Sequence, residues 1–179
     1  FGPPLLKLPD NNSNGISVTP NMVWEFATDV NEYDIQISDK NDFTSIIFEQ
    51  NSIIANSQIS NLLEYDKTYY WRVRSRNAEI TSEWSLIWSF RTGYSPVTLT
   101  SPADNSVNVA IPVIFKWIQH STEKSYEIEI SKNGDFTNNI EFEKINNTTE
   151  FISNNLDAYQ EYFWRVRAYS NENTGIWSQ

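Results

Sequence analysis

The side chains able to do chemistry here are few in kind: 23 acidic residues, 13 basic residues, one histidine and no cysteine among 179 positions. Thiol catalysis, cysteine zinc sites and disulfides are excluded, and the missing cysteine leaves the redox compartment open. His120 on its own forms neither a histidine metal cluster nor a histidine acid–base pair. Three groupings are left. Glu123, Glu127, Glu129, Glu141 and Glu143 hold the material for a glycosidase, which needs two carboxyls about 5 to 9 Å apart across a cleft. Asp39, Asn41 and Asp42 offer the hard oxygen ligands that calcium takes. Arg72, Arg74, Arg165 and Arg167 would make a ligand-facing basic strip if they stood unpaired. The net charge of −10 disfavours any partner presenting a phosphate lattice, so nucleic acid and anionic membrane drop out. No apolar run approaches the roughly 20 residues of a membrane helix.

Whatever positions these groups is an internal repeat. Tyr33-Asp-Ile-Gln-Ile-Ser and Asp42-Phe-Thr return as Tyr126-Glu-Ile-Glu-Ile-Ser and Asp135-Phe-Thr, always 93 residues later. Trp71-Arg-Val-Arg returns as Trp164-Arg-Val-Arg, and Trp84-Ser as Trp177-Ser. Between Tyr33–Leu86 and Tyr126–Gln179 the match needs no gap and gives 21 identities in 54 positions, which is duplication. Upstream it continues with small gaps, pairing Pro9 with Pro102, Pro20 with Pro112, and Trp24 and Phe26 with Phe115 and Trp117. The seam falls near Thr92 to Pro96, so the expected domains are 1–93 and 94–179.

Each repeat is a series of short apolar runs punctuated by Asn, Asp, Ser, Gly and Pro, the pattern of an all-β sandwich. In the first repeat, Leu5–Leu8 reads as a strand, the Pro-Asp-Asn-Asn-Ser-Asn-Gly run after it as a turn, and Met22–Ala27 as a second strand with Trp24 and Phe26 on one face. Tyr33, Ile35 and Ile37 alternate with Asp34, Gln36 and Ser38 as a half-buried third strand. Ile46–Gln50, Gln58–Leu63, Tyr69–Asn77 and Leu86–Arg91 complete seven strands.

These elements decide among the groupings. With Trp71 and Val73 inward, Arg72 and Arg74 point outward beside Asp34 and Gln36, and Arg165 and Arg167 beside Glu127 and Glu129. Trp84 and Trp88 are placed to stack on the guanidinium planes. A structural ladder is preferred over a ligand strip. The calcium reading weakens because Lys132, Asn133, Gly134 and Asp135 in the second repeat lose a carboxylate and gain an amine, leaving a hairpin turn. The glutamates read as solvated β surface, since the first repeat has Asp34, Gln36, Phe48 and Glu49 at the places of the last four. His120 falls in a polar loop. Tyr65, Tyr94, Tyr159 and Tyr169 sit in loops or at strand ends, where packing is preferred over a stacking platform for a sugar or partner.

On these residues the chain resembles tandem fibronectin type III domains of the kind common in bacterial secreted and surface proteins. The marks are the leucine six residues before a tyrosine, Leu63 to Tyr69 and Leu156 to Tyr162, and a buried aromatic on the second strand, Phe26 and Trp117. The resemblance implies that Tyr69 and Tyr162 are tyrosine corners. The arginine–tryptophan arrangement also resembles the ladder of cytokine-receptor fibronectin domains, with two residues rather than one between the Trp-Ser pairs of Trp84-Ser-Leu-Ile-Trp88-Ser. The expectation is two Greek-key sandwiches forming a short rod, with no catalytic, cofactor or metal residues. The second is expected to lack its final strand at Gln179, and the chain, opening at Phe1, to be an excerpt or a processed product. Its expected role is that of a non-catalytic extracellular or cell-surface spacer and adhesion or protein-binding surface in a larger protein. The alternatives are an accessory region of a secreted polysaccharide-degrading enzyme, or a filament subunit completed by a neighbour's strand.

Overall fold

The computed structural model describes residues 1–179, and the chain divides into two compact units, Phe1–Gly93 and Tyr94–Gln179. All regular structure is β. Unit 1 holds β1 (Leu6–Leu8), β2 (Ser13–Ile16), β3 (Asn21–Trp24), β4 (Glu32–Ser38), β5 (Ile46–Ile53), β6 (Ser57–Ile59), β7 (Thr68–Arg76) and β8 (Trp88–Thr92). They form two sheets, β1-β3-β6 and β2-β8-β7-β4-β5. Unit 2 holds β9 (Thr98–Ser101), β10 (Val113–Ile118), β11 (Ser125–Ser131), β12 (Asn139–Asn146), β13 (Glu150–Ser153) and β14 (Phe163–Ala168). Its sheets run β13-β10-β9 and β12-β11-β14.

Alternation along the central strands builds each core. Tyr33, Ile35 and Ile37 of β4 and Tyr69, Trp71 and Val73 of β7 are all buried, and they meet Met22 and Trp24 from the facing sheet. Unit 2 repeats this with Tyr126, Ile128, Ile130 and Val166 against Phe115 and Trp117. Burying side chains of this size removes them from water at about 1.5–3 kcal/mol each, the main driving force in a chain with no disulfide.

Two sequence expectations change. The polar run after Leu8 is not only a turn: Ser13–Ile16 forms β2, which lies parallel to β8 with Ser13 opposite Phe90 and Ile16 opposite Thr92. The buried aromatic of the second strand is Trp24, not Phe26. Trp24 is fully buried and meets Tyr33 edge-on at 5.5 Å, whereas Phe26 is 69% exposed. Trp117 meets Tyr126 in the same way at 5.3 Å. The gapless offset of 93 therefore extends back through Trp24/Trp117 and Met22/Phe115, and β3 ends at Trp24, which releases Phe26 from the inner face.

The tyrosine corners form in both units. The Glu64 N–H donates to the Tyr69 hydroxyl at 3.1 Å, and the Asp157 N–H to the Tyr162 hydroxyl at 2.9 Å, with Leu63 and Leu156 buried beside them. The first closes a part-buried backbone donor that would otherwise go unmet, and the second ties the exposed Asp157 to the core tyrosine.

Candidate functional site

Strand register delivers each of the four repeated arginines to a partner. Across β4 and β7, Arg74 lies opposite Asp34 and Arg72 opposite Gln36; across β11 and β14, Arg167 lies opposite Glu127 and Arg165 opposite Glu129. Arg74 Nε donates to Asp34 at 3.0 Å, and Arg72 donates twice to the Gln36 carbonyl oxygen, at 3.1 and 2.7 Å. Arg165 grips Glu129 through Nε at 2.6 Å and Nη2 at 2.5 Å, and Arg167 grips Glu127 at 2.7 and 2.6 Å. Two-pronged contacts of this sort hold the plane of the guanidinium as well as its charge.

The faces of those planes are occupied too. Arg72 stacks on Phe43 at 3.9 Å and on Trp84 at 4.5 Å, and Arg74 covers the other part of Trp84 at 4.5 Å. Phe136, Arg165, Trp177 and Arg167 repeat the sequence of rings and cations at 4.0, 4.5 and 4.4 Å. Trp84 and Trp177 are held there by the serine that follows. Ser85 accepts the Val73 N–H and donates its own N–H back to the Val73 carbonyl, and Ser178 does the same with Val166. Burial and the Arg74 charge lower the pKa of Arg72.

Sequence reasoning missed the phenylalanines. Phe43 and Phe136 sit at φ of 57° and 58°, the left-handed region a bulky residue rarely enters. The turn fixes them there. Asp42 accepts both the N–H and the hydroxyl of Thr44, and Asp135 those of Thr137. These bonds hold both carboxyls below the usual carboxylate range. The repeated Asp-Phe-Thr was the available signal. Trp88, by contrast, does not stack on arginine: it lies edge-on to Trp71 at 6.2 Å and packs on the core. Inward-facing β8 positions meet the core, so only the Trp of the loop reaches the ladder.

The glutamates are not one solvated set. Glu127 is buried and also meets Lys144 at 3.5 Å, Glu129 belongs to the ladder, and Glu123 accepts the N–H groups of Lys124 and Ser125. Glu141 accepts from Asn155, and Glu143 is exposed. In the turn proposed for calcium, Asp39 meets Lys67 at 3.7 Å; Asn41 is exposed. His120 Nε2 lies 2.7 Å from the Thr98 hydroxyl. Of the loop tyrosines, Tyr94 is buried in the unit 2 core with its hydroxyl 3.1 Å from Ser170, and Tyr169 carries Lys144 over its ring at 4.7 Å. Tyr65 is 40% exposed and Tyr159 wholly so.

No family model and no curated protein matches the sequence. Solved structures do. A two-domain fibronectin type III segment of chicken tenascin covers 98% of this chain and 96% of its own at 12% identity, with a TM-score of 0.45. The FN1–FN3 domains of chicken CNTN1 cover 99% and 66% at 14% identity and 0.44. The chicken interferon gamma receptor alpha chain covers 99% and 95% at 11% identity and 0.48. At such identities the likeness is one of fold. The chain's own sheet orders, with their tyrosine corners, are those of fibronectin type III-like sandwiches.

Proposed function

We propose that the chain is a non-catalytic module of a larger extracellular or cell-surface protein, of the bacterial secreted type, acting as a spacer and a protein-binding or adhesion surface. One observation carries this: the only charge array common to both units is consumed internally, each guanidinium taking an acceptor at its edge and a ring on its face. A duplicated scaffold of that kind multiplies contacts rather than building one reactive centre. Purified residues 1–179, assayed on glycoside, ester and peptide substrates, are expected to show no turnover above buffer; turnover that follows the protein through purification would overturn the reading.

A second reading is the accessory region of a polysaccharide-degrading enzyme, which would use an open, polar depression on unit 2. Gln119, Lys124, Tyr126, Asn147, Thr148 and Thr149 line it with amides and hydroxyls suited to sugar hydroxyls. Retarded migration through gels containing soluble polysaccharide would favour it, and unretarded migration would remove it.

A further inference from the structure

Two Asn-Gly pairs occur in the chain, Asn14-Gly15 in unit 1 and Asn133-Gly134 in unit 2. They are not duplicates of one another: a shift of 93 carries the first to Val107-Asn108 and places the second on Lys40-Asn41. An asparagine followed by glycine is the sequence in which a carboxamide is most open to attack by the next backbone nitrogen, because glycine has no Cβ to screen that nitrogen. Whether the attack succeeds depends on what holds the carboxamide.

The two side chains are held in opposite ways. Asn133 is half-buried in the turn between β11 and β12, and its carboxamide is engaged at both ends. Its Oδ1 accepts the Ser131 hydroxyl at 2.8 Å and the Asn138 N–H at 3.1 Å, and its Nδ2 donates to the Thr137 hydroxyl at 2.8 Å. Asn14 stands in water within β2, and its carboxamide makes no hydrogen bond. The main chain at Gly15 is left-handed, at φ 68°, and Asn108 takes φ 59° at the same place in unit 2. The bend therefore belongs to the shared fold, and the reactive pair does not.

We propose that Asn14 is a site of spontaneous deamidation that loosens β2, and that Asn133 is protected in the folded chain. Water and base are the only reagents. The Gly15 nitrogen, losing its proton to base, bonds to Asn14 Cγ; the bond from Cγ to the amide nitrogen breaks, ammonia leaves, and a five-membered succinimide remains. Water opens that ring at one carbonyl or the other, giving aspartate or an iso-aspartyl linkage in which the main chain runs through Cβ and Cγ and is one carbon longer. Nothing is oxidised or reduced. β2 has no slack for the extra carbon. Before Asn14, the Asn12 N–H donates to the Ser89 carbonyl at 2.7 Å and the Ser89 N–H to Asn11 Oδ1 at 3.0 Å; after it, the Gly93 N–H donates to the Ile16 carbonyl at 2.9 Å. Lengthening the chain between these anchors weakens one of them, and the new carboxylate joins a unit that already carries 12 acidic against 7 basic residues.

The test incubates residues 1–179 below the unfolding temperature in mildly alkaline buffer and follows each asparagine by peptide mass mapping, with the iso-aspartyl product separated by chromatography. Asn14 is expected to convert at least about 10-fold faster than Asn133, whose hydrogen bonds must open before it reacts. In denaturant, where neither is held, the two rates should converge. Thr137→Val, which removes the Nδ2 acceptor, should speed Asn133 and leave Asn14 unchanged. Conversion at Asn14 should slow in mildly acidic buffer and should lower the unfolding temperature of unit 1 in step with the iso-aspartyl content. Asn14→Gln, too long to close the five-membered ring, should keep its unfolding temperature through the same incubation. Equal rates at Asn14 and Asn133 in the folded chain, an Asn14 that converts only in denaturant, an unfolding temperature indifferent to the iso-aspartyl content, or a fall that Asn14→Gln shares would each overturn the proposal.

Discussion

The two ladders keep the same rings and the same arginines and answer their charge differently. In unit 1 the buried Asp34 serves Arg74 at 3.0 Å, Arg76 at 3.5 Å and the Ser52 N–H at 3.2 Å, while Arg72 makes do with a neutral amide, Gln36. In unit 2 every ladder arginine has its own carboxylate, Tyr169 stands in the place of Arg76, and Lys144 supplies the second cation to Glu127. The turn beside the tyrosine corner keeps its carboxylate, Glu64 or Asp157, and moves the cation that meets it, from Lys67, which also faces Asp39, to Lys132, which stands at the place of Asp39. What duplication has preserved is an acceptor opposite each guanidinium, not a particular one. Stacking geometry is the constraint, and counter-charge is adjusted around it.

The largest test of the correspondence concerns the core. Trp24→Ala and Trp117→Ala should each cost their own unit about 3–5 kcal/mol in thermal or denaturant unfolding, while Phe26→Ala stays within about 0.5 kcal/mol. A costly Phe26→Ala would restore Phe26 to the core. Next come the buried acids. Asp34→Ala leaves Arg74 and the Ser52 N–H without their acceptor, Arg76 keeping Glu32, and should cost about 3 kcal/mol, with Glu127→Ala of similar size. The ladder comparison sharpens at the neighbouring rung: Gln36→Glu, which copies unit 2, should stabilise unit 1 by roughly 0.5–1 kcal/mol, and Glu129→Gln should cost unit 2 about as much. Opposite signs in the two units are required, and equal signs would show that the acceptors are not equivalent. Tyr69→Phe should cost about 1 kcal/mol through the unmet, part-buried N–H of Glu64, and Tyr162→Phe less, because the Asp157 N–H is open to water.

The smallest effect is in acid. Because the hydrogen bonds from Thr44 and Thr137 lower the folded-state pKa of Asp42 and Asp135, the stability they add is fully present above the ordinary aspartate value of about 3.9 and is lost as pH falls through the lowered one. Asp42→Ala should therefore be less stable than the natural chain at neutral pH and converge on it in acid. A gap independent of pH would assign the effect to something other than that carboxylate.

The parts of this fold legible from sequence are those set by local alternation and by identity between repeats. Tyr33, Ile35 and Ile37 had to share a face, and Arg72 and Arg74 therefore had to meet Asp34 and Gln36. β2 was hidden because its partner is β8, far along the chain, and nothing in Ser13–Ile16 announces a parallel pairing. Phe26 misled because alternation continues on paper past Trp24, where the strand stops, and because matching Pro20 to Pro112 shifted the frame by a residue or two. The phenylalanine rung was hidden because a left-handed Phe43 is chosen by its turn, not by its own preference.

The central claim is that the shared arginines are structural and spoken for. Nuclear magnetic resonance of the arginine Nε–Hε groups tests it most directly, since a free guanidinium exchanges rapidly with water and averages. Arg72, Arg74, Arg165 and Arg167 should give four dispersed, slowly exchanging signals, each broken by removing its own acceptor or by replacing Trp84 or Trp177 in its own unit. Averaged, fast-exchanging signals from these four side chains would contradict the account and return them to the pool of groups free to meet a ligand.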